Sequence, residues 1–273
     1  MRLLFCRLRI HKAHLSRLAS NQLGGPASEL IAQCKCQTRY KVPQTGQATV
    51  QSRNYLWSTS ANLKSLKSKM LNRIFILSPA FCGGKRGQML MSEHSAFPLA
   101  MELRNNGASL GAIFTFMSGL YFRGKLAYSQ AFAQPPAGLP GTLVVTPGRG
   151  LLPPEEMFTI QQLREIAEVE VHEQNPKYRE SLELDAQELA KSISEGCELV
   201  LLGSVATSKY TSVLADVFSD RLCFPIDFVG RGDMSRGGLM LRCVENGEEL
   251  RYVELSGSSR HGPRPPRLPP KSR

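Results

Sequence analysis

RIFILSPAF, residues 73–81, is the stretch of sequence that decides the fold. Its first half is a short, uninterrupted apolar run, which is typical of a strand buried on both faces of a parallel sheet. From this run outward, strand-like and helix-like segments alternate along the chain. The further predicted strands are 112–117 (AIFTFM), 142–146 (TLVVT), 198–202 (ELVLL) and 222–228, and the predicted helices are 96–105, 120–132, 159–167, 181–194 and 208–218.

The alternation of strands and helices predicts an α/β fold, with a mostly parallel, Rossmann-like sheet of about five strands and flanking helices. Beyond the fifth strand, segments 239–244 and 250–255 are separated by Asn246-Gly247. Asn-Gly between two apolar runs is the strongest short-range hairpin signal. The sequence therefore also predicts a C-terminal antiparallel β-hairpin.

Positive charge is concentrated at the two ends of the chain. The net charge is +11, and residues 1–72 alone sum to +11, whereas residues 73–255 sum to −5. Non-specific nucleic-acid binding requires a basic surface. Such a surface is therefore not predicted for the folded part, although the basic ends leave nucleic acid open as a partner.

Domain boundaries follow from these composition changes. Residues 1–69 are predicted to form a disordered basic extension, because they contain too few periodic apolar residues to fold. Two origins stay open for it: a mitochondrial-type transit peptide, suggested by the acid-free first 20 residues, or an over-extended translation start preceding Met70. A single α/β domain is predicted over 70–255, followed by a disordered Pro/Arg-rich tail over 256–273.

The cysteine pattern indicates a reducing compartment. The chain has seven cysteines, an odd number at irregular spacings. Cys34-Lys35-Cys36 lacks the paired knuckles of a structural zinc site, so no metal is predicted. No apolar run approaches the ~20 residues needed to span a bilayer. We expect a cytoplasmic protein without a membrane partner, or a mitochondrial one if the transit peptide is genuine.

Glycine with a nearby cation follows each predicted strand. In an open α/β sheet, ligands bind outside the carboxyl ends of the strands. Glycine lets backbone N–H groups approach a ligand, and arginine binds phosphate in a bidentate manner. We therefore predict that a phosphate-bearing small molecule or nucleotide binds at this rim. The predicted ligand-binding residues are Gly83, Gly84, Lys85, Arg86, Tyr121, Arg123, Gly148, Arg149, Gly203, Ser204, Arg231 and Arg236.

These loops match no named nucleotide-binding fingerprint. A Walker loop requires Ser or Thr after Gly-Lys, but Gly84-Lys85 is followed by Arg86. The Gly-x-Gly segments at 148–150 and 230–232 lack the third glycine of the dinucleotide pattern. The cofactor, if any, therefore stays unknown.

Two acidic residues are candidates for catalysis. Asp227 and Asp233 lie at or after the end of the fifth predicted strand, between cations. A carboxylate there could act as a general base or orient water, and the alternative for Asp227 is a solvated strand end or an arginine partner. Tyr121 could stack on a nucleobase. Ser204 follows a strand, but the Gly-x-Ser-x-Gly elbow of a nucleophilic serine is absent.

One region resembles a known family. Residues 120–133 (LYFRGKLAYSQAFA), followed by a strand and then by 150–155 (GLLPPE), are similar to a loosely defined family of bacterial and phage α/β domains of unknown function. In that family, a Leu-Tyr-x-Ser-x-x-Phe-like segment precedes a strand ending in Gly-Leu-Leu. The similarity covers about residues 74–235, and Arg123 replaces a small polar residue. The resemblance implies a Rossmann-like fold and a nucleotide or nucleic-acid context, without an established reaction.

Three functions are compatible with these features. The first is a hydrolase or transferase acting on a nucleotide-like ligand. The second is a non-catalytic module that senses such a ligand. The third is an interaction protein that uses its basic tails to hold RNA or acidic partners.

Overall fold

The computed structural model describes residues 72–270, and the predictions for residues 1–69 lie outside this part of the chain. The strands are β1 (Arg73–Leu77), β2 (Ala108–Ser109), β3 (Thr142–Thr146), β4 (Gly150–Leu152), β5 (Met157–Phe158), β6 (Glu198–Leu202), β7 (Leu222–Pro225) and β8 (Tyr252–Glu254). The α-helices are α1 (Lys85–Met91), α2 (Pro98–Asn105), α3 (Leu110–Ser118), α4 (Leu120–Phe132), α5 (Ile160–Ala167), α6 (Pro176–Ser192), α7 (Ser208–Phe218) and α8 (Asp233–Asn246).

The main sheet has six strands in the order β4-β3-β1-β6-β7-β8. The four central strands are parallel, and the edge strands β4 and β8 run antiparallel to their neighbours. A separate two-stranded antiparallel sheet joins β2 to β5. The predicted α/β class with a mostly parallel sheet is therefore confirmed.

Strand β1 lies at the centre of the sheet and is covered on both faces. Ile74 and Ile76 pack with side chains of α6 and α7, whereas Phe75 and Leu77 pack with side chains of α3, α4 and α8. All four side chains are fully buried. Burying one such side chain contributes about 1.5–3 kcal/mol, so the apolar run that defines β1 stabilises both halves of the core.

The strand predicted at 112–117 is wrong, because these residues belong to helix α3. The Ser109 side chain caps this helix by accepting a hydrogen bond from the Ala112 N–H. The buried residues include Leu110, Ile113, Phe114 and Met117, which have helical spacing. A six-residue run of apolar side chains cannot by itself distinguish a buried strand from a buried helix, and the serine cap is the deciding signal.

The predicted C-terminal hairpin is also wrong. Residues 239–244 lie in helix α8, and Gly247 caps that helix in the left-handed conformation, with φ of 69°. The Asn-Gly pair therefore ends a helix rather than turning a hairpin. The antiparallel edge is formed by β8, which pairs with β7. Residues 226–228, predicted as the end of the fifth strand, form a short 3₁₀ helix.

The segment that follows β8 contains neither helix nor strand over 256–270. It lies beside α8 and the residues just before it. The Pro266 carbonyl oxygen accepts a hydrogen bond from Arg231, and the Pro269 carbonyl oxygen accepts one from Arg242 of α8. The disorder predicted for 256–273 stays a prediction. None of the helices within residues 72–270 is long and apolar enough to cross a membrane.

Helices α4 and α8 approach each other closely through two glycines. A Cβ added at Gly124 would lie 2.7 Å from the Gly237 carbonyl oxygen, and a Cβ added at Gly237 would lie 2.6 Å from the Leu120 carbonyl oxygen. Both clashes are with backbone atoms, which cannot rotate away. This contact sets how near the side chains of α4 lie to those of α8.

Gly237→Ala is therefore expected to lower the free energy of unfolding by about 1–3 kcal/mol, as overpacking of a close contact does. Gly238→Ala is the matched control. Its Cβ would meet nothing nearer than a Leu268 methyl at 3.5 Å, and the gain in helix propensity is up to about 1 kcal/mol. Urea denaturation of both variants measures the difference. Equal stability of the two would contradict the tight α4–α8 contact.

Candidate functional site

The carboxyl ends of β1, β3, β6 and β7 meet at one edge of the sheet. The chain passes from β1 to β3 on one side and then crosses back to β6 on the other, so the crossover direction reverses between β1 and β6. Ligands of open α/β sheets bind in the crevice at such a point. Here Ser78 follows β1 and Gly203 follows β6, and a Cβ at Gly203 would lie 2.9 Å from the Ser78 Cβ.

A buried lysine lies directly beneath this crevice. Lys125 of α4 is 1% exposed, and its Nζ donates hydrogen bonds to the Ser78 carbonyl oxygen at 2.6 Å and to the Ser78 Oγ at 2.9 Å. The same Nζ lies 4.5 Å from the centroid of the Tyr121 ring. Burial lowers the pKa of Lys125 to about 7, which the negative charge of Asp233 opposes.

A second buried cation lies close by on α8. Arg236 is 7% exposed, and its Nε and Nη2 donate to the Phe228 carbonyl oxygen at 3.2 and 3.0 Å. Its Nη1 is 3.4 Å from Asp233 Oδ1, and the Asp233 side chain is 66% exposed. The carboxylate that pairs with Arg236 is thus largely solvated, so it offsets the charge of the buried guanidinium only in part.

Two tyrosines complete the arrangement. Tyr121 is 6% exposed, and its hydroxyl makes no hydrogen bond of normal geometry within the described residues. Burial raises the pKa of Tyr121, and the nearby Arg236 guanidinium opposes the rise. Burial and Asp233 raise the pKa of Tyr210 of α7 to about 12. We call these six residues the Lys125 cluster: Ser78, Tyr121, Lys125, Tyr210, Asp233 and Arg236.

Part of the predicted ligand-binding set belongs to this cluster or borders it. Tyr121 and Arg236 are members, and Gly203 packs against Ser78, with the half-buried Ser204 next in the chain. Asp233 is the predicted acid that faces the cluster, because its charge acts on Lys125, Tyr121 and Tyr210. Asp227 is exposed, and its charge acts instead on Cys243.

The other predicted arginines have partners of their own. Arg149 pairs with Glu165 at 2.7 Å and lies over the Phe158 ring. Arg231 donates to the carbonyl oxygens of Asp227 and Pro266. Neither guanidinium group is among the charges that act on Lys125.

The loop predicted to follow a second strand follows helix α3 instead, yet it reaches the same edge. Arg86 of α1 donates to the Phe116 carbonyl oxygen at 3.2 Å, and its Nη1 crowds Gly119 at the α3–α4 junction. Lys85 and Arg123 are exposed. Gly83 and Gly84 lie under the ring of Phe81, and Gly148 packs against Val169.

Sequence reasoning missed Ser78, Lys125, Tyr210 and Phe81. Lys125 lies four residues after Tyr121 in a predicted helix, so helical spacing places it on the buried face. A lysine among apolar positions of that face was the available signal. Phe81 is 80% exposed on the loop after β1, which is unusual for so large an apolar side chain.

A large surface groove lies at the opposite edge of the sheet. Its volume is about 630 Å³, and it is lined at the amino ends of β6 and β7 by Glu195, Glu198, Asp220 and Glu254 together with Arg221. Because carboxylates outnumber the arginine in its lining, this groove does not suit an anionic ligand. Size alone therefore does not identify the candidate site.

Comparisons of the chain with protein-family models, curated proteins and solved structures found no match. The family resemblance of residues 120–155 accordingly stays a prediction.

Proposed function

We propose that the protein binds a phosphate-bearing, nucleotide-like ligand in the crevice between β1 and β6, with the Lys125 cluster facing its anionic group. The observation that carries this proposal is the Tyr121 hydroxyl, which lies near Arg236, a residue that can only donate, and has no acceptor of normal geometry within the described residues. A buried donor without an acceptor costs about 1–3 kcal/mol, and an anionic oxygen would remove that cost. The positive charge of Arg236, whose carboxylate partner is largely solvated, favours the same ligand class.

The strand order supports this location. The parallel strands follow the order β3-β1-β6-β7, which is the flavodoxin-like doubly wound order rather than the classic Rossmann order, and in both orders the ligand lies beside the first strand. We propose a Rossmann-like fold only in this broad, doubly wound sense.

A nucleotide base would find its stacking surface on Phe81 rather than on Tyr121. The Tyr121 ring is buried against the Lys125 ammonium group, whereas the Phe81 ring is exposed on the loop that begins at Ser78. Stacking of a base on an aromatic ring contributes about 1–3 kcal/mol. A ligand with both phosphate and a planar ring would use the two features together.

The test is a thermal-shift titration of the full chain with inorganic phosphate and with adenosine and guanosine monophosphates. The ligand that fits is expected to raise Tm, since binding to the native state stabilises it by mass action. Arg236→Met is expected to weaken binding about 10- to 100-fold, because a hydrogen bond to a charged group is worth about 1.5–3 kcal/mol. Arg242→Met on the same helix is the control, since that residue faces the C-terminal segment.

A second arm separates the phosphate from the base. Phe81→Ala is expected to weaken nucleotide binding while leaving inorganic phosphate binding unchanged. If Arg236→Met binds every phosphate compound as the wild type does, the proposed site is wrong. If no compound shifts Tm in the wild type, the proposed function itself is wrong.

A further inference from the structure

Ser78 lies where ligands of doubly wound sheets bind, and it is only 4% exposed. It is the first residue after β1, at the reversal point of the sheet, and its Oγ lies 2.9 Å from Lys125 Nζ. The Ser78 hydroxyl donates to the Leu202 carbonyl oxygen at 3.4 Å, which is at the long end of the range for a hydrogen bond. Rotating the hydroxyl proton from Leu202 to the nitrogen of a neutral Lys125 therefore gives up only a weak hydrogen bond.

Lys125 has the surroundings of a base rather than of a surface ammonium group. It is enclosed by Ser78, by the Tyr121 ring and by the Phe122 ring at 4.8 Å. The groups whose charges act on it are Asp233, which is largely solvated, and Arg236, which disfavours the charged amine. Because burial lowers its pKa to about 7, a large fraction of the amine is neutral at neutral pH and has a lone pair.

We propose that Ser78 is a nucleophile towards phosphorus and that Lys125 is its general base, which gives the proposed binding site a phosphoryl-transfer activity on phosphate monoesters. This inference rests on the proposed function. A hydroxyl nucleophile within hydrogen-bond reach of a base is the minimal arrangement for covalent catalysis, and serine–lysine pairs are one of its forms.

The proposed reaction is the hydrolysis of a phosphate monoester, and water is the second reactant. The Ser78 Oγ forms a bond to phosphorus as its proton passes to Lys125 Nζ. The bond from phosphorus to the leaving oxygen breaks, and that oxygen takes the proton from Nζ to leave as an alcohol. Water then attacks the phosphorus of the phosphoserine and gives a proton to Lys125 Nζ. The bond from phosphorus to Ser78 Oγ breaks, Oγ takes that proton back from Nζ, and inorganic phosphate leaves.

A purely structural lysine predicts different behaviour. If Lys125 only held the Ser78 carbonyl oxygen at 2.6 Å, the Ser78 hydroxyl would react no faster than that of any other buried serine. Ser129, which is also fully buried and lies one turn further along α4, provides that comparison. Its hydroxyl donates to the Leu126 carbonyl oxygen.

Diisopropyl fluorophosphate tests the proposal directly, because a serine that attacks its phosphorus releases fluoride and keeps the phosphoryl group. The full chain is incubated with the reagent from pH 6 to pH 9, and the adduct is located by peptide mass spectrometry. We expect one adduct, on Ser78, with a rate that rises with pH through about 7 and then levels off, as the pKa of Lys125 requires. Ser129→Ala should react like the wild type.

Lys125→Met and Lys125→Arg are each expected to slow labelling at least 100-fold, with folding checked by Tm and near-ultraviolet circular dichroism. No adduct on Ser78 across this pH range, or labelling that is unaffected by both lysine variants, would overturn the proposal. The phosphate and nucleotide thermal shifts on the same wild-type sample separate the proposed binding function from the proposed nucleophile. A thermal shift without labelling of Ser78 would contradict only the nucleophile. The absence of any thermal shift would contradict the binding site as well.

Discussion

Replacing Lys125 by methionine is expected to abolish a pH dependence of stability worth up to about 5 kcal/mol. The pKa of the amine is about 7 in the folded protein, against 10.5 for a free lysine. Between these values the unfolded chain holds the proton and the folded chain does not, so the wild type gains stability as pH rises from about 7 to about 10. Each unit of pKa difference corresponds to about 1.4 kcal/mol. Methionine fills a similar volume and does not titrate.

The measurement is urea denaturation of both proteins at intervals from pH 6 to pH 10. The difference in free energy of unfolding between variant and wild type should be most favourable to the variant at pH 6 and should decline steadily above pH 7. The buried tyrosines and cysteines, whose pKa values are raised, are present in both proteins and cancel in the difference. Lys191→Met, on an exposed part of α6, should run parallel to the wild type. Parallel profiles for Lys125→Met would mean that the amine stays charged.

Gly150→Ala is expected to lower the free energy of unfolding by about 2–5 kcal/mol. Gly150 begins β4 with φ of 72°, and a Cβ there would lie 2.1 Å from Asp185 Oδ2 and 2.6 Å from the Ser181 carbonyl oxygen. The left-handed conformation costs about 1–2 kcal/mol for a residue with a side chain. Asp185 Oδ2 accepts the Leu151 N–H at 2.8 Å, so displacing it exposes a nearly buried donor, at a further cost of about 1–3 kcal/mol.

Gly138→Ala isolates the conformational part of this cost. Gly138 also has a positive φ, of 82°, but nothing lies within 4 Å of the position a Cβ would take. Denaturation should therefore show a loss of only about 1–2 kcal/mol for Gly138→Ala. Similar losses for the two variants would show that Asp185 moves aside freely. A loss of stability clearly larger for Gly150→Ala than for Gly138→Ala would mean that Gly150 is required for the packing of the β3–β4 hairpin on α6. It would not then be explained by the approach of a ligand to the backbone.

The parallel strands could be predicted from the sequence because each reads as an apolar run, as strands covered on both faces must. β1, β3, β6 and β7 all lie within predicted strands. The two failures have local causes. The run at 112–117 is buried as a helix capped by Ser109, and Asn246-Gly247 ends α8, since the same dipeptide satisfies either a hairpin turn or a helix C-cap.

From the sequence, the candidate site could be predicted only as a set of loops at the carboxyl ends of the strands. The rule that ligands bind at strand ends led to Arg236 and Asp233, whereas Tyr121 was included because it follows segment 112–117, which is a helix rather than a strand. It could not separate them from Arg149, because the ion pair with Glu165 depends on tertiary packing. It did not point to Lys125, although the position of this lysine four residues after Tyr121 places it on the buried face of α4. The helical periodicity of residues 120–132, and not the nearness of a glycine, was the signal that could have identified Lys125.

The central position of β1 has a consequence for how the protein is made. Arg73, at the start of β1, contacts Glu198, which the ribosome adds 125 residues later. β3 becomes available earlier, so a nascent chain can pair β1 on one edge while the other edge stays open. Closing so long a loop is entropically costly, and pairings of this kind form late. The crevice between β1 and β6 therefore exists only after residue 202 has emerged, and shorter nascent chains contain the lysine and the serine without the second wall of the site.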